Sequence, residues 1–288
     1  MARIAAARSS ARRRRSQRTK RWRISRYLPS AATRRRWWRR YRSAPPWAQF
    51  VVAVVGIFTV WLCVNWIYQV VRKPSELFFP VSGTLYKVPA ETWDAYAPIF
   101  RKHATSTITA EYLAALAQVE GSGNPIVRTY WRWSWRPQPF EMYRPASSAV
   151  GMFQITDGTY EEARHYCVHD HVVVEDGPWD DWKSCWFNSL YLRVVPSHAV
   201  EMTSAYLDRR VAGILERHRI RSATVQQKQD LASVIHLCGA GAGETYARRG
   251  LRIAPGQRCG DHDVRTYVQR VNSMKKQFAR IALESDAE

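Results

Sequence analysis

The sequence predicts a mainly α-helical domain preceded by a single transmembrane helix. Apolar residues recur at helical spacing from about Tyr96 onward, and long alternating patterns typical of strands are absent. One uncharged stretch, Trp47 to Val71, is long enough to cross a bilayer, and most of the positive charge precedes it. These observations divide the chain into a basic tail at 1–43, a membrane helix at 45–71, a linker at 72–95 and a folded domain at 96–288.

The net charge of +20 belongs to the N-terminal part of the chain. Residues 1–75 contain 19 Lys or Arg and no acidic residue, because Glu76 is the first. The remainder holds 44 − 19 = 25 basic residues against 24 acidic ones, a net charge of +1. Since a nucleic-acid-binding domain would itself be basic, we expect no specific nucleic-acid partner. The arginine-rich tail buries too little apolar surface to fold alone, so we expect it to be disordered and to contact anionic lipid.

The uncharged stretch predicts a membrane anchor. As a helix, its 25 residues span roughly 37 Å, more than the ~30 Å hydrocarbon core. It is longer than the apolar region of a signal peptide, about 7–15 residues, so we expect it to remain uncleaved. Because positive charge stays on the cytoplasmic side, the tail should be cytoplasmic and the domain outside. Asn65, a polar residue within the stretch, bonds to a partner helix or reaches water at the helix end.

Helices of the folded domain are predicted from apolar spacing and capping residues. Thr109 is a predicted N-cap, with Leu113, Leu116 and Ala117 following at helical spacing. Further helices are predicted at 156–165, 197–218, 225–237 and 261–283.

Four of the five cysteines follow the membrane stretch, where oxidation is allowed. Three pairings are possible, and proximity favours Cys167 with Cys185 and Cys238 with Cys259. Each bridge is worth ~2–4 kcal/mol. The alternative is a metal site around His165–His171, but the paired ligand spacing of such sites is missing, and we expect neither metal nor cofactor.

The stretch LAALAQVEGSGNP places Glu120 at the end of a predicted helix, where Gly121 stops it. The negative end of the helix dipole disfavours a second negative charge, and burial in a cleft would add to this effect. A glutamic acid that stays protonated near neutral pH can protonate a glycosidic oxygen. By spacing alone, a solvated glutamate at a helix end is the more common explanation.

Two later stretches carry glycine and polar residues. In SSAVGMFQITDGTYEEA, Gly151 allows close backbone approach and Gln154 offers an amide donor and acceptor. In HLCGAGAGE, a helix end is followed by a glycine-rich turn, without the Lys and Ser or Thr of a phosphate-binding loop.

In order and spacing, these stretches resemble the soluble-lytic-transglycosylase-like domain, which has a lysozyme-like fold. Residues 120–125 resemble its catalytic Glu-Ser-x-x-x-Pro block, and residues 151–155 its Gly-Leu-Met-Gln-Ile block. Residues 238–243 resemble its Tyr-Asn-Ala-Gly-x-Gly block, and Tyr267 with Val268 its late Tyr-Val element. The resemblance covers about residues 96–274. Each block alone is a weak signal, whereas four in order are specific.

The resemblance implies a lytic transglycosylase that cleaves peptidoglycan glycan strands and forms a 1,6-anhydro sugar. Glu120 would be the catalytic acid and base. The implied substrate-binding residues are Ser148, Gly151, Met152, Gln154 and Tyr267. The anchor would lie in the inner membrane, with the domain in the periplasm. Specialised members open local gaps in the wall for secretion or conjugation machines, so such a machine is a candidate partner.

The chain departs from the family pattern at three places. Gly121 replaces the usual Ser beside the catalytic Glu, and Cys238 with Gly239 replaces the Tyr-Asn pair. An aromatic insertion at 126–145 separates the first two blocks. It contains Trp131, Trp133 and Trp135 at alternate positions, which suits sugar binding, although adjacent tryptophans more often pack against their own domain.

Two other functions remain open at this point. One is a hydrolytic muramidase of the same fold, which would need a second carboxylate such as Asp157 or Glu161. The other is a non-catalytic domain that binds peptidoglycan as a scaffold.

Overall fold

The computed structural model describes residues 30–135, 137–181 and 184–287, and the chain there is mainly helical. It forms two compact units, Met1–Cys63 and Val64–Glu288. The mainly α-helical class predicted from the sequence is therefore confirmed.

The described part of the first unit contains helix α1, Ala31–Ser43, and the start of helix α2, Pro46–Arg72. Ser30 caps α1 by accepting a hydrogen bond from the Thr33 N–H at 3.2 Å. The part of the predicted tail at Ala31–Ser43 is helical in this structure, because alanine and arginine have high helix propensity and a cap is present. The tail prediction for residues 1–29 lies outside the described residues.

Helix α2 has the length and composition needed to cross a membrane, with a mean hydropathy of 2.3 over its most apolar window. Its bounds agree closely with the predicted 45–71. Only 6% of that window is buried, so the helix is not the core of a soluble domain.

The predicted linker at 72–95 is largely ordered. A short 3₁₀ helix occupies Pro74–Phe78, helix α3 is Phe79–Ser82, and helix α4 is Pro89–Lys102. Glu76 is buried, and its carboxylate accepts a hydrogen bond from Trp131 Nε1 at 2.9 Å and pairs with Lys73 at 3.3 Å. The packed domain thus begins soon after Arg72, because buried charges in this segment find partners in the domain.

The remaining helices enclose one hydrophobic core. They are α5 (Ala110–Gly121), α6 (Asp157–Ala163), α7 (Pro196–Arg217), α8 (Val225–Cys238), α9 (Ala240–Arg248) and α10 (Val264–Ser285). Helix α5 lies at the centre, with Tyr112 to Ala117 inaccessible to solvent. Helix α10 packs along α5, and Trp93 of α4 contacts Phe278 of α10 with ring centroids 6.0 Å apart.

The described part of the chain also contains three two-stranded antiparallel sheets. The strands are β1 (Trp131–Trp133), β2 (Tyr143–Pro145), β3 (Tyr166–His169), β4 (Val172–Glu175), β5 (Arg258–Cys259) and β6 (His262–Asp263). β1 pairs with β2, so that Trp131 faces Pro145 and Trp133 faces Tyr143. The strands are two to four residues long, too short to produce a long alternating pattern in the sequence.

Both favoured disulfides are present, Cys167–Cys185 and Cys238–Cys259. The first joins β3 to the segment before a 3₁₀ helix at Trp186–Leu190, and the second joins the end of α8 to β5. Because Cys167 is bonded to Cys185, it is not a thiolate ligand for the alternative metal site.

Candidate active site

Glu120 lies in the last turn of α5, at the edge of the core. Ser122 ends the helix with a left-handed φ of 48°, so the helix stops one position later than the predicted Gly121. The side chain of Glu120 is 17% exposed. It therefore projects from a buried helix toward a surface that solvent and a ligand can reach.

Tyr267 contacts Glu120 from the first turn of α10. Its hydroxyl donates a hydrogen bond to Oε1 of Glu120. Asp263 fixes the start of α10 by accepting a hydrogen bond from the Thr266 N–H at 2.8 Å. Burial, followed by the adjacent Glu120 charge, raises the pKa of Tyr267 well above its ordinary value. The phenol therefore stays protonated at physiological pH and remains a donor to the carboxylate.

His236 is a second neighbour of Glu120 that the sequence did not indicate. Its Nε2 lies 3.6 Å from Glu120 Oε1, and its side chain is mostly buried. It lies on α8, two residues before Cys238. Among the described residues, protein hydrogen bonds reach only Oε1 of Glu120. The other carboxylate oxygen is thus the one available to a ligand.

The second block packs directly under the end of α5. Val150 and Ile155 exchange backbone hydrogen bonds of 3.1 and 3.0 Å, which closes a tight turn over the residues between them. A Cβ on Gly121 would lie 2.9 Å from the Met152 carbonyl oxygen and 3.1 Å from a methyl carbon of Val127. The close approach of these two blocks leaves no room for a side chain at position 121.

Gly151 is also required by its surroundings. Its φ of +79° is left-handed, and a Cβ there would lie 2.2 Å from the Arg193 carbonyl oxygen. The guanidinium of Arg193 donates to the carbonyls of Ser148 and Ile155, at 3.1 and 2.8 Å. Arg193 thus holds both ends of the turn, a positioning role that the sequence did not indicate.

The predicted substrate-binding residues differ in how they can act. Gln154 is half-buried, and its amide nitrogen donates to the Gly151 carbonyl at 2.8 Å. The hydroxyl of Ser148 accepts a hydrogen bond from the Asp157 N–H at 3.2 Å. Met152, one of the expected substrate-binding residues, is inaccessible to solvent in the core. Its role is to place its backbone against Gly121.

The two candidates for a second carboxylate are engaged with arginines. Asp157 pairs with Arg193 at 2.8 Å, and Glu161 pairs with Arg164 at 3.3 Å. Thr156 caps α6 by accepting a hydrogen bond from the Thr159 N–H, and Asp157 is the acid in the first turn of that helix, where a negative charge is favourable. Glu161 lies nearer the end of the helix, so the expectation of a helix N-terminal acid holds for Asp157 and not for Glu161.

The third block is not the glycine-rich turn expected from the sequence. Gly239, with a φ of +82°, separates α8 from α9, and the glycines that follow lie in the first turns of α9. Cys238 is bonded to Cys259, so its side chain is part of a covalent bridge between the end of α8 and β5.

The aromatic insertion forms a hairpin against the end of α2. Asn65 Nδ2 donates to the Tyr143 carbonyl at 2.7 Å, and Gln69 Nε2 donates to the Phe140 carbonyl at 2.6 Å. The expectation that Asn65 binds a partner helix or water is therefore wrong for its amide nitrogen, which binds this chain's own hairpin. Trp135 is 98% exposed, whereas Trp131 is hydrogen-bonded to Glu76.

A cavity of about 340 Å³ opens beside this hairpin and not at Glu120. Its walls include Arg72, Lys73, Glu141 and Arg144, and it shares only Ser148 with the predicted site residues. Most of these charges are paired across it, as in the contacts of Arg72 and Arg144 with Glu141. We therefore place the candidate active site at the Glu120–Tyr267 contact and not at this cavity.

No group of His, Cys, Asp or Glu arranged to hold a metal occurs among residues 30–135, 137–181 and 184–287. Comparison with protein-family models, with curated proteins and with solved structures found no match to the chain.

Proposed function

We propose that this protein is a membrane-anchored lytic transglycosylase that cleaves peptidoglycan glycan strands, with Glu120 as its catalytic acid and base. One observation carries the proposal. Glu120 and Tyr267, which the family resemblance assigns to one site, are in contact although 147 positions separate them. A solvated glutamate at a helix end is hydrogen-bonded by water. The contact with a buried tyrosine donor therefore favours a functional carboxylate.

The proposed reaction begins with protonation of the glycosidic oxygen that leaves C1 of N-acetylmuramic acid. Glu120 in its acid form supplies the proton, the C1–O bond breaks, and its electron pair stays on the leaving oxygen. The acetamido oxygen of the same sugar stabilises the positive centre at C1, as in substrate-assisted glycosidases.

Ring closure completes the reaction. Glu120, now a carboxylate, takes the proton of the C6 hydroxyl, and O6 forms a bond to C1 while the acetamido oxygen withdraws. The product is a 1,6-anhydro sugar, Glu120 is again an acid, and no water is consumed. Tyr267 would hold one carboxylate oxygen in place, leaving the other to exchange the proton.

A single-carboxylate mechanism is supported by the surroundings of Glu120. A retaining hydrolase would need a second carboxylate about 5–5.5 Å away. Asp157 and Glu161, the acids nearest in sequence to the second block, are instead paired with arginines. The hydrolytic muramidase is therefore the less favoured candidate, and a lysozyme-like arrangement of the helices is part of the proposal.

The first test uses purified sacculi and the full chain in detergent. We expect Glu120→Gln to abolish cutting while the thermal midpoint changes little, since the variant keeps the side-chain shape. General acid–base catalysis contributes about 10²–10⁴-fold, so residual activity should fall by at least about 10²-fold. Mass spectrometry of the parent's products should find anhydro sugars that lack one water. Hydrated ends would identify a hydrolase, and equal activity of the variant would refute the role of Glu120.

The location of the domain is part of the same proposal. Helix α2 is long and apolar enough to anchor it, and two disulfides suit an oxidising periplasm. The basic residues before α2 favour a cytoplasmic N-terminus at the inner membrane. A reporter active only in the periplasm, fused after Glu288, should be active. Activity of a cytoplasmic reporter at the same position would contradict this topology.

A further inference from the structure

The aromatic hairpin is defined here as residues 130–135 and 137–145. It contacts the last two turns of α2, the helix proposed to cross the membrane. The side-chain amides of Asn65 and Gln69 donate hydrogen bonds to the hairpin, and Phe140 stacks on Tyr68 of α2 with ring centroids 5.1 Å apart. Asn65 and Gln69 are almost completely buried beneath the hairpin. Polar side chains in an apolar helix thus satisfy hairpin carbonyls.

The position of these contacts along α2 indicates their depth. Asn65 lies 65 − 46 = 19 residues after Pro46, roughly 28 Å along a helix. This distance is close to the ~30 Å thickness of the hydrocarbon core. Backbone carbonyls that face the hydrocarbon core lack water, and each needs a donor. Asn65 supplies such a donor to the Tyr143 carbonyl, and Gln69, one turn further along α2, binds the Phe140 carbonyl.

The surface that the hairpin presents is aromatic. Trp135 is 98% exposed, Tyr130 is 69% exposed and Trp133 is 56% exposed. Trp133 also stacks on Tyr143 at 4.8 Å, which gives the exposed ring a rigid backing. Large exposed aromatic patches are costly in water, whereas Trp and Tyr are favoured at the membrane–water interface.

We propose that the aromatic hairpin is a second membrane anchor, which inserts Trp133 and Trp135 into the headgroup region of the bilayer that α2 crosses. The proposal rests on the membrane anchoring in the proposed function but not on the chemistry of Glu120. The exposed aromatic surface of the hairpin thus binds the lipid headgroup region. Sugar binding by the same tryptophans is the rival outcome, which the contacts with α2 do not favour. The hairpin would fix the domain against the membrane surface, so that Glu120 works at a constant height.

The test uses the full chain in bilayer nanodiscs of phosphatidylethanolamine and phosphatidylglycerol. In a Cys63→Ser background, the remaining cysteines are bonded in disulfides, so Trp135→Cys can carry a single environment-sensitive fluorophore. The matched control is Trp179→Cys, which replaces another exposed tryptophan, located after β4. We expect the probe at 135 to be blue-shifted and quenched by spin-labelled lipid. The probe at 179 should be quenched by aqueous iodide.

A second pair of variants tests the contact between the hairpin and α2. Gln69→Leu removes the donor to Phe140, and the probe at 135 should lose anisotropy and lipid quenching. Gln49→Leu is the control. The side-chain amide of Gln49 donates to nearby carbonyls of its own segment, that of Ala44 at 2.8 Å and, more weakly, that of Arg42.

Three results would overturn the proposal. One is equal iodide quenching at 135 and 179 in nanodiscs. Another is a probe at 135 that responds to added glycan fragments and not to lipid. The third is a full chain that fails to float with vesicles, which would refute the anchor itself. Because glycan cutting is measured separately, an active enzyme with a water-exposed hairpin would refute only this inference.

Discussion

The phenol of Tyr267 holds Oε1 of Glu120, which joins the first turn of α10 to the last turn of α5. Each residue stands where its helix begins or ends. Small shifts of either helix would therefore break the contact. The site therefore depends on the packing of α5 against α10.

Replacing Tyr267 by phenylalanine should lower kcat and leave KM nearly unchanged. A hydrogen bond to a charged group is worth about 1.5–3 kcal/mol, which corresponds to roughly tenfold to a hundredfold in rate. Turnover of solubilised glycan strands would measure the effect. Tyr191→Phe is the matched control, since Tyr191 also donates to a carboxylate, Glu201 Oε2, at 2.8 Å. A raised KM with unchanged kcat would mean that Tyr267 binds sugar instead of positioning Glu120.

Alkaline pH should destabilise the fold through its buried tyrosines. Burial raises the pKa of Tyr267 well above its ordinary 10.0, and that of Tyr246 to about 12. In the unfolded chain both ionise near pH 10, so above this pH the unfolded state binds fewer protons. Their contribution to stability is present below about pH 10 and declines as pH rises beyond it. Thermal midpoints measured from about pH 9 to about pH 12 should fall.

The matched variant for the alkaline series is Tyr246→Phe. Above about pH 10 its thermal midpoint should fall less steeply than that of the parent, because one ionising group is gone. Identical slopes would show that Tyr246 does not contribute.

Replacing Gly121 by serine should destabilise this protein. The added Cβ would lie 2.9 Å from the Met152 carbonyl oxygen, and overpacking of this kind costs about 1–3 kcal/mol. Denaturant unfolding of Gly121→Ser would measure it. Gly158→Ala is the control, because nothing lies within 4 Å of its added Cβ and helix propensity favours alanine. A Gly121→Ser variant as stable as the parent would mean that the second block shifts freely.

Removing the bridge at the third block should weaken the fold. Cys238→Ser together with Cys259→Ser should cost about 2–4 kcal/mol, because the unfolded chain regains the freedom of the closed loop. Unfolding with and without reductant would measure the loss. The non-reduced parent should react with a thiol reagent only at Cys63. Labelling of four further cysteines would contradict both bridges.

The helices were largely predictable from local signals. Thr109 accepts the expected hydrogen bond from the Tyr112 N–H, and α7 occupies Pro196–Arg217 where 197–218 was predicted. Caps and apolar spacing act within a few residues, so a sequence displays them directly. Disorder of the tail was predicted from its low apolar burial, whereas the helix at Ala31–Ser43 depends on helix propensity and on the Ser30 cap.

Composition, spacing and motif order predicted the helical class and the apolar helix α2, favoured the two disulfide pairings among three, and indicated Glu120 as the acid to examine. Packing in three dimensions brings His236 and Arg193 to the site, buries Met152, and places Asn65 against the aromatic hairpin. These relationships join residues far apart in the chain. Their distances are set by how helices pack, and no local pattern records that packing.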